Sequence, residues 1–218
     1  MSQNGDRDPA SAAAATRSRR TSLAVALIAF CLSLAVLIAA MAIVFDPFGQ
    51  RQGGRIAGTA EVGGPFTMVN QRGEAVTDKT FAGKPTAYFF GFTHCPDVCP
   101  TALNDMSERL KELGPDADRL NVVFVSVDPE QDTPDQMALY LQSFDPRIVG
   151  LTGTPENLAA MAKAFRVYYR KVPTKQGYTM EHSAATIVLD RDGRLANLIA
   201  PQEAPEKVLA KLRQAIAS

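Results

Sequence analysis

Residues 85–101 read PTAYFFGFTHCPDVCPT. The first nine, 85–93, form an apolar, aromatic run of strand length. Leu103, Met106, Leu110 and Leu113 then recur at helical spacing over 101–113, and Gly114-Pro115 stops that helix. Cys95 and Cys99 fall between the strand and the helix. In α/β folds that position is the carboxyl edge of the sheet, where sites are built. A helix N-terminus favours negative charge, so thiols there are expected to ionise more readily. The thiolate is the form that attacks disulfides or binds soft metals. Spacing of i to i+4 puts both sulfurs on one face of a helix. Pro96 and Pro100 restrict the backbone around the pair. The bland alternative is a structural disulfide, but closing so short a loop constrains the unfolded chain little.

The order of elements follows on either side. Residues 66–70 and 75–77 read as a hairpin around the turn Gln71-Arg72-Gly73-Glu74. Residues 120–127 (LNVVFVSV) form the continuous apolar run of a strand buried on both faces. Asp132-Thr133-Pro134 opens a helix to about residue 144, with Asp132 as its expected cap. Residues 148–151 are a short strand, and Thr154-Pro155-Glu156 opens a helix to about residue 165. Residues 184–190 (AATIVLD) and 195–200 are strands joined by the turn Arg191-Asp192-Gly193-Arg194, and a helix over 203–217 closes the chain. The pattern predicts an α/β fold: a mixed sheet flanked by helices, early strands parallel, the last hairpin antiparallel. A thioredoxin-like architecture fits this order.

Upstream lies a different kind of sequence. Residues 23–45 carry no charge, and at 1.5 Å per residue a helix of that length spans about 34 Å, enough for a bilayer core. Arg7, Arg17, Arg19 and Arg20 precede it, whereas only Arg51 and Arg55 follow closely. The positive-inside rule therefore puts residues 1–22 in the cytoplasm, as a tail ahead of a transmembrane anchor at 23–45. The run is longer than a signal-peptide core, although Ala40-Met41-Ala42 resembles a cleavage site. Residues 46–64, with six glycines, are expected to be a flexible linker to a domain at 65–218. Asp6 and Asp8 argue against a mitochondrial transit peptide, so the expected location is a bacterial inner membrane with the domain in the periplasm.

The 218 residues carry 23 Lys+Arg and 23 Asp+Glu, so nothing marks a nucleic-acid binder. That zero is a sum of opposites. Residues 1–55 hold six Arg against Asp6, Asp8 and Asp46, a net of +3, which leaves −3 for residues 56–218. Neither a P-loop nor a dinucleotide G-x-G-x-x-G is present, so nucleotide chemistry has no support.

The chain has two histidines, His94 and His182. His94 adjoins Cys95 and reads as a neighbour of the thiol, its side chain directed elsewhere. His182 precedes the strand at 184–190. In a thioredoxin-like sheet that loop faces the cysteine loop, so Cys95, Cys99 and His182 can converge. Thiolates with imidazole suit Cu(I), Cu(II) or zinc. On spacing alone, the default reading of His182 is a surface residue or a satisfied core residue, ahead of ligation. Asp97 reads as a solvated loop charge. Asp128, Glu130, Asp132 and Asp135 make an acidic loop near the same edge, and Tyr88 and Phe92 read as core.

The stretch YFFGFTHCPDVCPT closely resembles the signature of the Sco/SenC family of copper-binding proteins. SVDPEQDTP (126–134) and YTMEHSAATIVLD (178–190) match two further family segments in the expected order. The resemblance implies a membrane-anchored, thioredoxin-like copper chaperone that assists copper insertion into cytochrome c oxidase. It implies that Cys95, Cys99 and His182 bind one copper ion, as Cu(I) with Cu(II) as a second state, and that Cys95 and Cys99 can cycle to a disulfide. The partners implied are the copper-bearing oxidase subunit, a copper donor protein and a thiol reductant. The family commonly has Asp where this chain has Glu181, so a role for that carboxylate in orienting the imidazole is not carried over.

A metal-free thiol-disulfide oxidoreductase is the alternative, one that reduces the cysteine ligands of a copper acceptor. Thioredoxin-type reductases use C-x-x-C and a Pro immediately before the facing strand. This chain has one residue more between its cysteines, and Pro173 lies too far upstream for that role. Both departures favour a ligand set over a general reductase.

Overall fold

The computed structural model describes residues 32–34, 37, 62–175 and 177–218. Of the expected transmembrane helix at 23–45, residues 32–34 and 37 are helical, and the rest lies outside the described residues. Among the described residues no helix is long and apolar enough to cross a membrane.

The strands are β1 (Thr67–Asn70), β2 (Ala75–Thr77), β3 (Thr86–Gly91), β4 (Asn121–Ser126), β5 (Ile148–Thr152), β6 (Tyr169–Thr174), β7 (Gly177–His182), β8 (Thr186–Leu189) and β9 (Leu195–Ile199). The helices are α1 (Val98–Leu113), α2 (Pro134–Leu141), α3 (Pro155–Phe165) and α4 (Pro205–Ala217). Among the described residues, seven strands form one sheet in the order β2-β1-β5-β4-β3-β8-β9. β3, β4 and β5 pair in parallel, while β8 and β9 are antiparallel to their neighbours. The first hairpin joins the sheet through an antiparallel β1–β5 contact.

Central β3 and β4 are buried almost throughout, as their unbroken apolar runs require of strands covered on both faces. On one face, Tyr88 and Phe90 pack against Phe165 of α3, with ring centroids 4.8 and 5.6 Å away. On the other face, Phe89 stacks on Phe124, which meets Tyr140 of α2. The sheet is thus flanked by helices on both sides. Thr133 and Thr154 cap α2 and α3 by accepting from the N–H groups of Gln136 and Asn157, and Pro sits in the first turn of each. Gly63 N–H donates to Ala164 O at 3.0 Å, so packing onto this unit begins before residue 65.

Three expectations are corrected. Thr133, not Asp132, caps α2, because the Asp132 side chain is taken up elsewhere in the interior. α2 ends at Leu141, short of residue 144, and α1 begins at Val98, so Cys99 lies inside its first turn. Beyond these three, residues 169–182, for which the pattern predicts no element, fold into the separate β6–β7 hairpin. That hairpin delivers the second histidine.

Candidate metal centre

Cys95 and Cys99 leave the carboxyl end of β3 on a tight turn, closed by Cys95 N–H donating to Phe92 O at 3.3 Å. Cys99 N–H in turn points at Cys95 Sγ, 3.4 Å away. Cys99 is fully buried and Cys95 is half-buried; both are free thiols. Gly91 makes room for the inner sulfur. A Cβ at that position would lie 2.8 Å from Cys99 Sγ and 2.8 Å from Phe124 Cε2. Only a residue without a side chain allows α1 to approach β3 so closely.

His182 ends β7 and places Nε2 3.6 Å from Cys99 Sγ. Its Nδ1 lies 3.0 Å from Ser183 O. A carbonyl only accepts, so Nδ1 carries a proton, and in the neutral ring Nε2 is the nitrogen whose lone pair faces Cys99 Sγ. Phe89 and Phe92 hold the ring edge-on, with centroids 6.3 and 5.9 Å away. The ligand atoms of Cys95, Cys99 and His182 all lie within 4.8 Å of one another, a geometry that can hold a metal ion. An open cavity of about 330 Å³ adjoins Cys95 and His182, bounded by Phe92, Pro96 and Met180.

The expected lowering of the thiol pKa is not met at Cys99. Burial pushes that thiol well above its ordinary range, outweighing the favourable end of α1. Desolvating a thiolate costs more than a helix terminus returns. Cys99 is therefore held as a thiol until something replaces its proton, and a soft cation at the same atom is one such replacement.

Loop side chains fix the surrounding backbone. Asp132, fully buried, accepts from Thr93 N at 3.1 Å, Thr93 Oγ1 at 2.6 Å and Ser126 Oγ at 2.6 Å. It ties the segment before Cys95 to the end of β4. His94 is exposed and lies 3.8 Å from Asp132 through Nδ1, outside the three-residue group, as expected. Asp128, also buried, accepts from Tyr178 Oη at 3.0 and 3.1 Å. Burial raises the Asp128 carboxyl pKa, partly offset by that bond. Lys171 of β6 pairs with Glu130 at 2.7 Å and sits over the Tyr178 ring. The acidic loop thus holds the hairpin that carries His182. Glu181 pairs across the hairpin with Arg170 at 2.7 Å and does not orient the imidazole. Sequence reasoning missed the parts played by Tyr178, Ser183 and Gly91. Of these only Tyr178 left a trace, four positions from His182 and so on the same face of a strand.

The fold and site together define a thioredoxin-like protein whose sheet edge gathers two cysteines and one histidine. The SCO1/SenC family model matches residues 54–217, and the chain belongs to that family. It resembles the copper-bound structure of ScoI from Bradyrhizobium japonicum, with 51% identity and a TM-score of 0.67 over 71% of this chain and 99% of that one. Copper-bound yeast Sco1 is 30% identical, with a TM-score of 0.67 over 72% and 90% of the two chains. The human mitochondrial SCO1 homologue is 35% identical over 170 residues, 75% of this chain and 56% of that protein. For Arabidopsis thaliana SCO1 homologue 1 the values are 42% over 132 residues, 60% and 40%. The chain thus spans about half the length of these curated relatives.

Proposed function

We propose that this protein carries one copper ion on Cys95, Cys99 and His182 and assists copper insertion into cytochrome c oxidase. The observation that carries the reading is the convergence of the three ligand atoms within 4.8 Å. The donor set fits the cargo: two sulfurs and an imidazole suit Cu(I) at low coordination, whereas calcium and magnesium ask for oxygen. Copper on similar chains supports the choice of metal.

The residues divide the work. Ser183 O fixes the imidazole tautomer, so in the neutral ring Nε2 is the nitrogen left to bind metal. The two thiols each release a proton on loading. Half-buried Cys95 and the open cavity beside it leave a side from which a ligand of the acceptor can approach. A three-donor shell permits that ligand to join before the others leave. The cysteines must be reduced to load, so a thiol reductant is a required partner outside the cytoplasm. The uncharged run at 23–45 and the arginines before it support a single anchor in a bacterial inner membrane, with the domain in the periplasm.

The exposure difference between the cysteines favours a second reading, reduction of a disulfide in a copper acceptor. Accessible Cys95 attacks the acceptor disulfide and releases one thiolate. Cys99 then attacks Cys95, releasing the second acceptor thiol and leaving a Cys95–Cys99 disulfide; two electrons pass to the acceptor.

Copper titration of the reduced full chain tests the first reading, with one copper per chain expected and none retained by Cys95→Ser. Uptake that survives Cys95→Ser would contradict it. Reduction of an oxidised acceptor by copper-free protein supports the second reading, and no turnover with several acceptors counts against it.

A further inference from the structure

Met180 is not accounted for by the three-residue site. Strand β7 sends alternate side chains to opposite faces, so Tyr178, Met180 and His182 share one. That face is turned inward, because Tyr178 reaches Asp128 and His182 reaches Cys99. Glu181 lies on the other face with Arg170. Met180 is therefore directed into the molecule between those two contacts, is only 8% exposed, and lines the same cavity as Cys95 and His182. Positions two apart on a strand stand about 6.6 Å apart, a gap that a long, flexible Met side chain bridges.

Apart from exposed Asp97, the surrounding carboxylates are engaged. Asp132 accepts from Thr93 and Ser126, Asp128 from Tyr178, and Glu181 pairs with Arg170. A thioether is soft and uncharged, so it adds a donor for Cu(I) without adding charge to a buried site. An apolar side chain without sulfur would fill the same volume, so packing alone does not call for Met.

We propose that the Met180 thioether is an additional, weak donor to the copper held by Cys95, Cys99 and His182, making a site of three sulfurs and one nitrogen that favours Cu(I). The contact is dative, with no electron or proton transferred. The inference rests on the copper reading above.

The test uses the full chain, reduced, grown with selenomethionine and loaded with copper alone, read at the selenium X-ray absorption edge. A copper neighbour of selenium is expected, and it disappears in Met180→Leu, which isolates one of the seven methionines. Met180→Leu, which conserves volume, is expected to hold Cu(I) about tenfold less tightly. A selenium edge without a copper neighbour, alongside a copper edge showing two sulfurs and one nitrogen, overturns this inference and leaves the three-residue site standing. Wild type that takes up no copper overturns both. If Met180→Leu fails to fold, the labelled wild type still decides.

Discussion

His182 Nε2 stands 3.6 Å from Cys99 Sγ although 83 positions separate them along the chain. Two supports create that contact. Gly91 lets Cys99 sink against β3, and the loop at 128–130 pins the hairpin whose last residue is His182.

Gly91→Ala tests the first support. Its Cβ would sit 2.8 Å from both Cys99 Sγ and Phe124 Cε2, so α1 or the Phe124 ring must move. The expected cost is about 1–3 kcal/mol of stability, with weaker copper binding alongside. Denaturant midpoints and a copper titration check both, and an unchanged midpoint would show that the close approach is unimportant.

Tyr178→Phe tests the second. It removes the hydroxyl that donates to buried Asp128 and leaves that carboxylate short of a partner. A loss of about 1–3 kcal/mol is expected. Amide exchange should rise across 169–182 before it rises in β3 or β4, because the strands of the hairpin pair only with each other. Uniform loss of protection would contradict this division.

The contrast between these two supports shows what the sequence made legible. β3 and β4 are apolar on both faces, so their identity survives without knowledge of their neighbours. Cys95 and Cys99 follow directly from where β3 ends. The β6–β7 hairpin has no such signature. Tyr169–Thr174 is exposed at Arg170, Lys171, Pro173 and Thr174, and Pro173 interrupts the pattern. What holds it lies 41 and 50 positions away, in the Glu130–Lys171 and Asp128–Tyr178 contacts. Asp132 was legible as a capping residue type, but its bonds to Thr93 and Ser126 depend on the neighbouring strand ends, which only the fold brings together. The raised thiol of Cys99 belongs to the same class, since burial is a property of the packed whole.

Tyr140→Phe is expected to stabilise the protein by about 1 kcal/mol, as removing an unpaired buried hydroxyl relieves its desolvation cost. Tyr140 Oη is buried with no hydrogen-bond partner among the described residues. Thermal melts of the two proteins check this, and a clear loss of stability in the variant would contradict it.

Asp145 supplies an acid-sensitive contact remote from the site. Bonds from Arg147 Nε at 2.9 Å and a second guanidinium nitrogen at 2.8 Å hold its carboxyl below the ordinary carboxylate range. A depressed folded-state pKa contributes stability that is complete above the unfolded value, about 3.9, and is lost as the pH falls through the lower folded value. Asp145→Asn should therefore cost more stability at about pH 7 than at about pH 3, by urea midpoints. An equal cost at both would contradict the ion pair's contribution.

If His182 completes a metal site begun by Cys95 and Cys99, a copper titration must separate reduced wild type from His182→Ala. One tightly held copper is expected in wild type and affinity lower by at least about tenfold in the variant, with the fold intact by circular dichroism. A His182→Ala protein that binds copper as tightly as wild type would contradict the three-ligand site.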